Sequence, residues 1–548
     1  MGMQVNLTRR SFVKAGLATG VGASLAASTG GCASKLSAKL AIIHTNDTHG
    51  HDILDEESLG MAAVAQLRSD YEAQGYEVLV LDAGDFAQGD NLVNRSEGDN
   101  AVDFMNAEGY DAAALGNHEF DYGQEKVVGY ADAAAFPVLS ANTIVEVTGE
   151  PLVQGRAVLE LGSGTKVGVF GLTTPQTATD ANPLLVQGLA FLRGENLYAC
   201  AQEQADALRA EGCDFVICLA HLGEAEDAAP NRACDVVANT HGIDLFINGH
   251  DHEEEAATLP DGDGVDTLVV ETGCNLHAIG VVTWEDGAFA TELVPFGSYE
   301  GQDAGVAAVV QEEADELAGE LSTVIAHTAF LLDGERSPGV RTHETNLGDL
   351  VCDAILWEAQ RMADDQPDCA ICNGGAIRDS IGEGDITLGD VTNVLPFINY
   401  VCTVRTTGAS LLEALEAACS QSPEELGAFP QVSGISMTVD TLVPFEEGEE
   451  YPGSTYRSPA APGARVTIHD VGGRGFSLEE TYVVAANDFL CAGGDTYYAF
   501  AADAQRTMAS IGYLQSDCLR YYLEEACGGE VPQDYADPKG QGRVTIVQ

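Results

Sequence analysis

The sequence predicts an α/β fold built in more than one domain. Three observations carry that expectation. Short apolar runs recur, each opening into Gly, Asp, Asn or His, which is how buried strands ending at loops read. Stretches with apolar residues at helical spacing lie between them, so strands and helices alternate. The chain of 548 residues is also too long for one ordinary hydrophobic core.

Composition narrows the class of partner. Apolar content of 45% with 20% charged residues describes a folded, soluble chain. The net charge of −61, from 86 acidic and 25 basic residues, excludes nucleic acid and anionic membrane surfaces as partners, since both would repel it. The acidity reads as a solvated surface. An anionic substrate would need a strong local source of positive charge.

Residues 1–37 read as an address. Thr8-Arg9-Arg10-Ser11-Phe12-Val13-Lys14 looks like a twin-arginine export signal, and the apolar stretch 15–31 behind it is too short and too weak to span a membrane. Thr29-Gly30-Gly31-Cys32 resembles a bacterial lipobox with Thr where Leu is usual, making Cys32 a candidate lipid anchor. Ordinary cleavage and release as a secreted protein is the alternative. The chain has 14 cysteines. Export permits disulfides, but pairing does not follow from spacing. Cys369-Ala-Ile-Cys372 has C-x-x-C spacing with no second pair at zinc-finger distance, so it reads as strand core, and Cys218 reads as a buried thiol.

The strands then come in order. Residues 39–44 form the first and run into Thr45-Asn46-Asp47-Thr48-His49-Gly50. Asp47 and His49 are two apart, so an extended backbone would turn both to one side, a common start to a metal site. A helix over 59–71 leads to the strand 78–81, where Gly84 allows a sharp turn that presents Asp85, while Asp82 lies within the strand and reads as structural. A helix over 101–108 and the apolar run 112–115 open into Gly116-Asn117-His118-Glu119-Phe120-Asp121. Strands at 137–140 and 167–171 follow. The strand 215–219 ends in Ala220-His221, and 243–247 ends in Asn248-Gly249-His250-Asp251-His252. Runs at 269–271 and 281–284 close the region. Five strand ends each deliver Asp, His or Asn, more ligand types than one ion needs, so two ions are the natural reading.

After Gly297 the composition changes. Residues 304–326 are dense in Ala, Val, Leu and Glu at helical spacing and read as a helix linking two domains. The second region carries Arg341 to Asp349, a helix over 350–362, Asn373-Gly374-Gly375-Ala376-Ile377-Arg378, Leu395-Pro396-Phe397-Ile398-Asn399, and Asn487-Asp488-Phe489 through Gly493-Gly494-Asp495.

Asp47-x-His49, Gly84-Asp85, Gly116-Asn117-His118-Glu119, Ala220-His221 and Gly249-His250-x-His252 resemble the five motifs of the calcineurin-like metallophosphoesterases over about residues 38–298. The later blocks resemble the C-terminal domain of the 5′-nucleotidase and UDP-sugar hydrolase family over 327–548. The resemblance implies a four-layer αββα domain, a linker helix over 299–326 and a second, α+β substrate-binding domain. It implies two divalent ions, and mixed N/O ligands suit zinc, manganese, cobalt or iron better than calcium. Asp47, His49 and His252 would hold one ion, Asn117, His221 and His250 the other, with Asp85 bridging. Many relatives carry Gln or Asn where this chain has His252. His118, oriented by Asp121, would stabilise the transition state and protonate the leaving oxygen, with Glu119 structural. Phe397 and Phe489 would sandwich a nucleobase, and Arg341, Asn373, Arg378, Asn399 and Asp495 would contact base, ribose or carboxylate-sized groups. The implied activity is release of phosphate from nucleotides by an exported hydrolase, first of all a 5′-nucleotidase with broad base tolerance. The Gly that precedes the Asn399 position in many 5′-nucleotidases is missing, which keeps 2′,3′-cyclic-nucleotide phosphodiesterase/3′-nucleotidase and UDP-sugar hydrolase activity open. A surface nucleotide-binding protein without catalysis is the non-enzyme alternative, and the intact His118, Asp121 and metal positions argue against it.

Overall fold

The computed structural model describes residues 39–547 apart from Glu56, Asp364, Gly453 and Thr455. The export-signal and Cys32 readings lie outside the described residues.

Two six-stranded sheets form the N-terminal half. In the first, parallel strands Leu40–Thr45, Glu77–Asp82, Ala112–Ala114 and Val138–Leu139 lie side by side, and the hairpin Ala278–Glu285/Ala288–Pro295 adds antiparallel strands at the Leu40–Thr45 edge. In the second, Lys166–Thr173, Phe215–His221, Leu245–Ile247 and Asp266–Thr272 are parallel, with an antiparallel strand at each edge.

The period-2 alternation of strand side chains decides the layers. Leu40, Ile42, Leu79 and Leu81 share one core with Phe215, Ile217 and Leu219 of the other sheet, so the sheets pack face to face. Their neighbours Ala41, Ile43, Val78 and Val80 point the other way, into a core with helices Met61–Ala73 and Asp99–Glu108. Val216, Cys218 and Ala220 likewise meet helix Glu195–Ala210 outside the second sheet. The result is the expected four-layer αββα stack.

Helix Ala304–Leu321 packs Val306 and Val310 into the helical layer of the first sheet. It is shorter than its composition suggested. The β-branched run Val324–Thr328 is instead a strand paired with Gly384–Thr387, because branched side chains suit a pleated ladder better than a helix.

The C-terminal half centres on a mixed sheet in the order Pro430–Ser433, Cys369–Asn373, Thr481–Asn487, Tyr400–Thr407, Thr507–Leu514. Helix Asn346–Met362 covers one face and Gly408–Ala418 the other. Cys369 and Cys372 sit on opposite faces of their strand, both fully buried, and burial pushes the Cys372 thiol up to about 12. They are core residues and cannot pair. The cysteines among the described residues are free, and only Cys234, Cys274 and Cys527 are partly exposed. Among the described residues no helix is long and apolar enough to cross a membrane.

Buried thiols are protected from reagents until the core opens. Iodoacetamide applied to the folded chain is expected to label Cys234, Cys274 and Cys527 among the described cysteines, with the rest labelled only in denaturant. Peptide mass mapping reads this, and rapid labelling of Cys218 or Cys369 in the native state would contradict the packing.

Candidate active site

Parallel strands send their C-terminal ends to one edge, the usual place for a ligand in an α/β sheet. Here two sheets face each other, so two such edges meet. The loops after Leu40–Thr45, Glu77–Asp82 and Ala112–Ala114 bring Asp47, Asp85 and Asn117, while Phe215–His221 and Leu245–Ile247 bring His221 and His250.

Two groups of potential metal ligands result. Asp47, His49 and His252 form one and Asp47, Asp85 and His221 the other, each with its donor atoms within 4.8 Å of one another. His252 Nε2 is 3.1 Å from His49 Nε2 and 3.5 Å from Asp47 Oδ1, and His221 Nε2 is 3.0 Å from Asp85 Oδ2. Asp47 belongs to both groups, since its Oδ1 is also 3.7 Å from His221. His250 completes neither; its ring meets His221 edge-on at 5.2 Å, and its Nε2 lies 3.2 Å from Gln176 Oε1. Gln176 was not foreseen, and nothing in its local sequence marks it.

The donor chemistry fits cations. Asp47 is fully buried; its Oδ2 accepts from Asn46 Nδ2 (2.7 Å) and from the His250 amide (2.9 Å), whereas Oδ1 is left without a hydrogen bond. Asn117 Oδ1 and His221 Nε2 are likewise buried and make no hydrogen bond. The outer nitrogens are held: His49 Nδ1 is 2.8 Å from Gln88 O and His221 Nδ1 is 2.9 Å from Ala83 O. A ring that donates from Nδ1 to a carbonyl presents a bare Nε2 lone pair inward, the tautomer a metal requires. Burial disfavours a charge on His221, yet the Asp85 and Asp47 carboxylates outweigh it and hold its pKa well above the usual imidazole value. The group therefore attracts positive charge strongly.

The backbone here is unusual. Asp47 (φ 49°), His49 (48°), Asp85 (62°), His250 (100°) and His252 (62°) all occupy the left-handed region, which costs non-glycine residues about 1–3 kcal/mol each and clusters at functional sites. This corrects one expectation. Asp47 and His49 converge through a turn, and the extended backbone expected there is absent.

Glu119 explains how one turn is held. Its buried carboxylate accepts the backbone N–H groups of Asp85 (3.0 Å), Phe86 (2.8 Å), Ala87 (3.0 Å) and Gly116 (2.6 Å). Gly116 in turn must be Gly, because a Cβ there would collide with the Asp85 carboxylate. Asp82 accepts from Thr45 Oγ1 (2.6 Å) and the Gly84 amide (2.8 Å), a structural role.

His118 stands beside the ligand groups, 5.4 Å from the His49 ring. Its Nδ1 is 2.7 Å from Asp121 Oδ2, and its amide donates to Asp85 Oδ1 (2.8 Å). Burial works against its charged form, but Asp121 and Asp85 outweigh this and raise its pKa above the usual value.

A cleft of about 1730 Å³ joins this centre to the C-terminal half. Arg341, Asn373, Arg378, Phe397, Asn399, Phe489 and Asp495 all line it. Phe397 stacks on His118 with centroids 5.9 Å apart and planes at 25°, and the Arg378 guanidinium lies 5.7 Å from the Phe397 centroid. Asn373 Nδ2 donates to Asp495 Oδ2 (2.9 Å), and burial raises the Asp495 carboxyl to about 6. Arg336, not singled out from sequence, lines the cleft and pairs with Glu425 at 3.1 Å. The halves are bonded across the cleft: the Asp495 amide donates to Thr179 O (3.0 Å), Asn182 Nδ2 to Asp488 Oδ2 (3.1 Å), and Arg193 Nη1 to Ser454 O (2.7 Å).

Glu119→Ala is expected to strand four buried amides, each worth about 1–3 kcal/mol when unsatisfied, and to release the Asp85 turn. Thermal unfolding and metal content by atomic emission should both fall; a variant with unchanged metal content would show that Asp85 is held otherwise.

The calcineurin-like phosphoesterase family model matches residues 40–254, and the model for the 5′-nucleotidase C-terminal domain matches residues 324–502. The trifunctional nucleotide phosphoesterase protein YfkN of Bacillus subtilis (strain 168) is 31% identical over 93% of this chain, a match that spans 35% of that longer protein. The snake venom 5′-nucleotidase of Naja atra is 30% identical, covering 89% of this chain and 96% of its own. A solved structure, the 5′-nucleotidase precursor from Thermus thermophilus, is similar with a TM-score of 0.75 at 29% identity, over 93% of this chain and 99% of that one. The chain belongs to the 5′-nucleotidase family of metal-dependent phosphoester hydrolases.

Proposed function

We propose that this chain is an exported phosphohydrolase that releases phosphate from nucleotides, first of all a 5′-nucleotidase tolerant of the base. The observation that carries the reading is the stacking of Phe397 on His118 across the cleft. It sets an aromatic surface of the second half directly over the candidate catalytic pair, where a nucleotide would span from base to phosphate.

In this reading Asp47, His49 and His252 would hold one divalent ion and Asn117, His221 and His250 the second, with the Asp85 carboxylate shared between them. Such ions, when bound, lower the pKa of a water and neutralise charge on phosphoryl oxygens. The protein's own groups do the rest. Asp121 holds Nδ1 of His118, so Nε2 is the nitrogen turned to the substrate. As the bond from phosphorus to the ester oxygen breaks and the water oxygen bonds to phosphorus, His118 gives its Nε2 proton to the departing oxygen. Phe397 and Phe489 grip the base by stacking, which tolerates base identity. Arg341, Asn373, Arg378, Asn399 and Asp495 bind the base, ribose or an anionic group. Local cations at the centre and these arginines answer the repulsion expected from a chain of charge −61.

Zinc, manganese, cobalt and iron all suit the mixed donors. Export by the twin-arginine route and lipid attachment at Cys32 remain part of the proposal, supported by the N-terminal motifs. A second reading has the same centre also acting on other nucleotide phosphoesters. The likeness to a relative named as trifunctional favours it.

A substrate panel tests the proposal: AMP, 3′-AMP, 2′,3′-cyclic AMP, UDP-glucose and a generic phosphate ester, with metal-reconstituted protein. AMP is expected to show the highest kcat/KM, and Phe489→Ala is expected to raise KM for AMP but not for the generic ester. Equal rates on all five would sink the base-gripping role. His118→Ala is expected to lower turnover by about two to four orders of magnitude with metal content unchanged; loss of metal in that variant would make His118 a ligand instead.

A further inference from the structure

Gln176 touches a candidate ligand directly and has no role so far. It follows strand Lys166–Thr173, stands just before the short helix Thr177–Asp180, and lines the cleft while only 4% exposed. Its backbone carbonyl accepts the amides of Thr179 and Asp180 (both 2.8 Å), so that turn fixes its main chain. Its side chain crosses to the loop after Leu245–Ile247, where Oε1 lies 3.2 Å from His250 Nε2.

A side-chain amide has an acceptor at one end and a donor at the other. The end that faces His250 therefore decides where that ring keeps its proton. Thr174, itself buried, orients the amide. Its Oγ1 accepts the Gln176 backbone N–H (3.3 Å), which leaves the hydroxyl hydrogen to donate to Gln176 Oε1 (3.4 Å). The end of the amide at His250 is thus the oxygen, and an oxygen only accepts. Nε2 must then be the nitrogen that carries hydrogen. The main chain of His250 is fixed separately, because its amide donates to Asp47 Oδ2 (2.9 Å) and a Cβ on the preceding Gly249 would come 2.7 Å from that same oxygen. What Gln176 adds is the choice of nitrogen.

We propose that Gln176 is a positioning residue for His250: its Oε1 takes the Nε2–H and leaves Nδ1 as the lone pair that the ring offers to a divalent ion. A neutral imidazole carries one N–H and one lone pair, and only the lone pair ligates. His221 is arranged the other way round, with Nδ1 against Ala83 O (2.9 Å) and Nε2 3.0 Å from Asp85 Oδ2. The two rings assigned to one ion thus serve it through opposite nitrogens. Outer partners of this kind tune metal affinity. The inference rests on the ligand set proposed above and concerns only the ion that His250 serves.

The test is a zinc titration of the metal-stripped full chain against a chromophoric chelator. The parent is expected to take up two ions. Gln176→Leu, which keeps the bulk and loses the acceptor, is expected to hold one ion at the parent affinity and the other about 10–100-fold more weakly. Gln176→Glu, whose carboxylate still accepts, is expected to recover most of that loss. Parent affinities for both ions in Gln176→Leu, equal weakening of both ions, or equal loss in the Leu and Glu variants would each overturn the positioning role alone. A parent that binds fewer than two zinc ions overturns both this role and the ligand set beneath it. Nitrogen NMR of the zinc-loaded parent gives a reading without substitution. His250 should carry its proton on Nε2 and His221 on Nδ1; a His250 proton on Nδ1 refutes the proposal.

Discussion

The carboxylate of Glu119 is the contact on which the centre depends. It gathers backbone amides from two loops that follow different strands, those after Glu77–Asp82 and Ala112–Ala114. Both loops carry donors toward the same point, Asp85 from one and Asn117 from the other. A buried carboxylate has up to four lone-pair sites, and here they are filled by main chain. The two loops are thereby joined into one rigid piece before any ion or substrate is considered. Gly116 completes the joint by letting the Asp85 carboxylate lie against the backbone.

Around that joint the protein accumulates unfavourable features in one place. Five donor residues sit in left-handed backbone. Two carboxylates, Asp47 and Asp85, are buried within reach of each other and of three imidazoles. Several of their polar atoms make no hydrogen bond. Each feature is destabilising alone, and the sheet sandwich behind them supplies the apolar burial that tolerates them. Their common resolution is positive charge at the point where the donors converge. That is also how so acidic a chain can receive an anion.

The second half of the chain supplies a different kind of recognition. Its cleft residues are aromatic, amide, guanidinium and carboxylate groups, with Asn373 at the end of strand Cys369–Asn373 and Phe489 in the short helix Asp488–Cys491. The two halves meet through polar bonds such as Asn182 to Asp488 and Arg193 to Ser454. The stacking of Phe397 on His118 joins two halves whose own cores are separate.

Much of this was legible in residue order alone. The alternation in Leu40-Ala41-Ile42-Ile43 and its counterparts set which side chains face which core, because strand geometry has a strict period of two. The donors at five strand ends and the implied pair of ions could likewise be read locally, since each follows an apolar run and most sit beside Gly. Tertiary structure decided what local pattern cannot carry. Asp47 and His49 converge by a left-handed turn, Asp47 belongs to both donor groups, and His250 stands against Gln176. Val324–Thr328 pairs with Gly384–Thr387, a partner distant in sequence that local pattern does not reveal. Sequence settles which chemical groups each strand end offers, because covalent order and side-chain period are local. Which atoms finally meet is a property of the folded whole, because it depends on how separate loops close on one another.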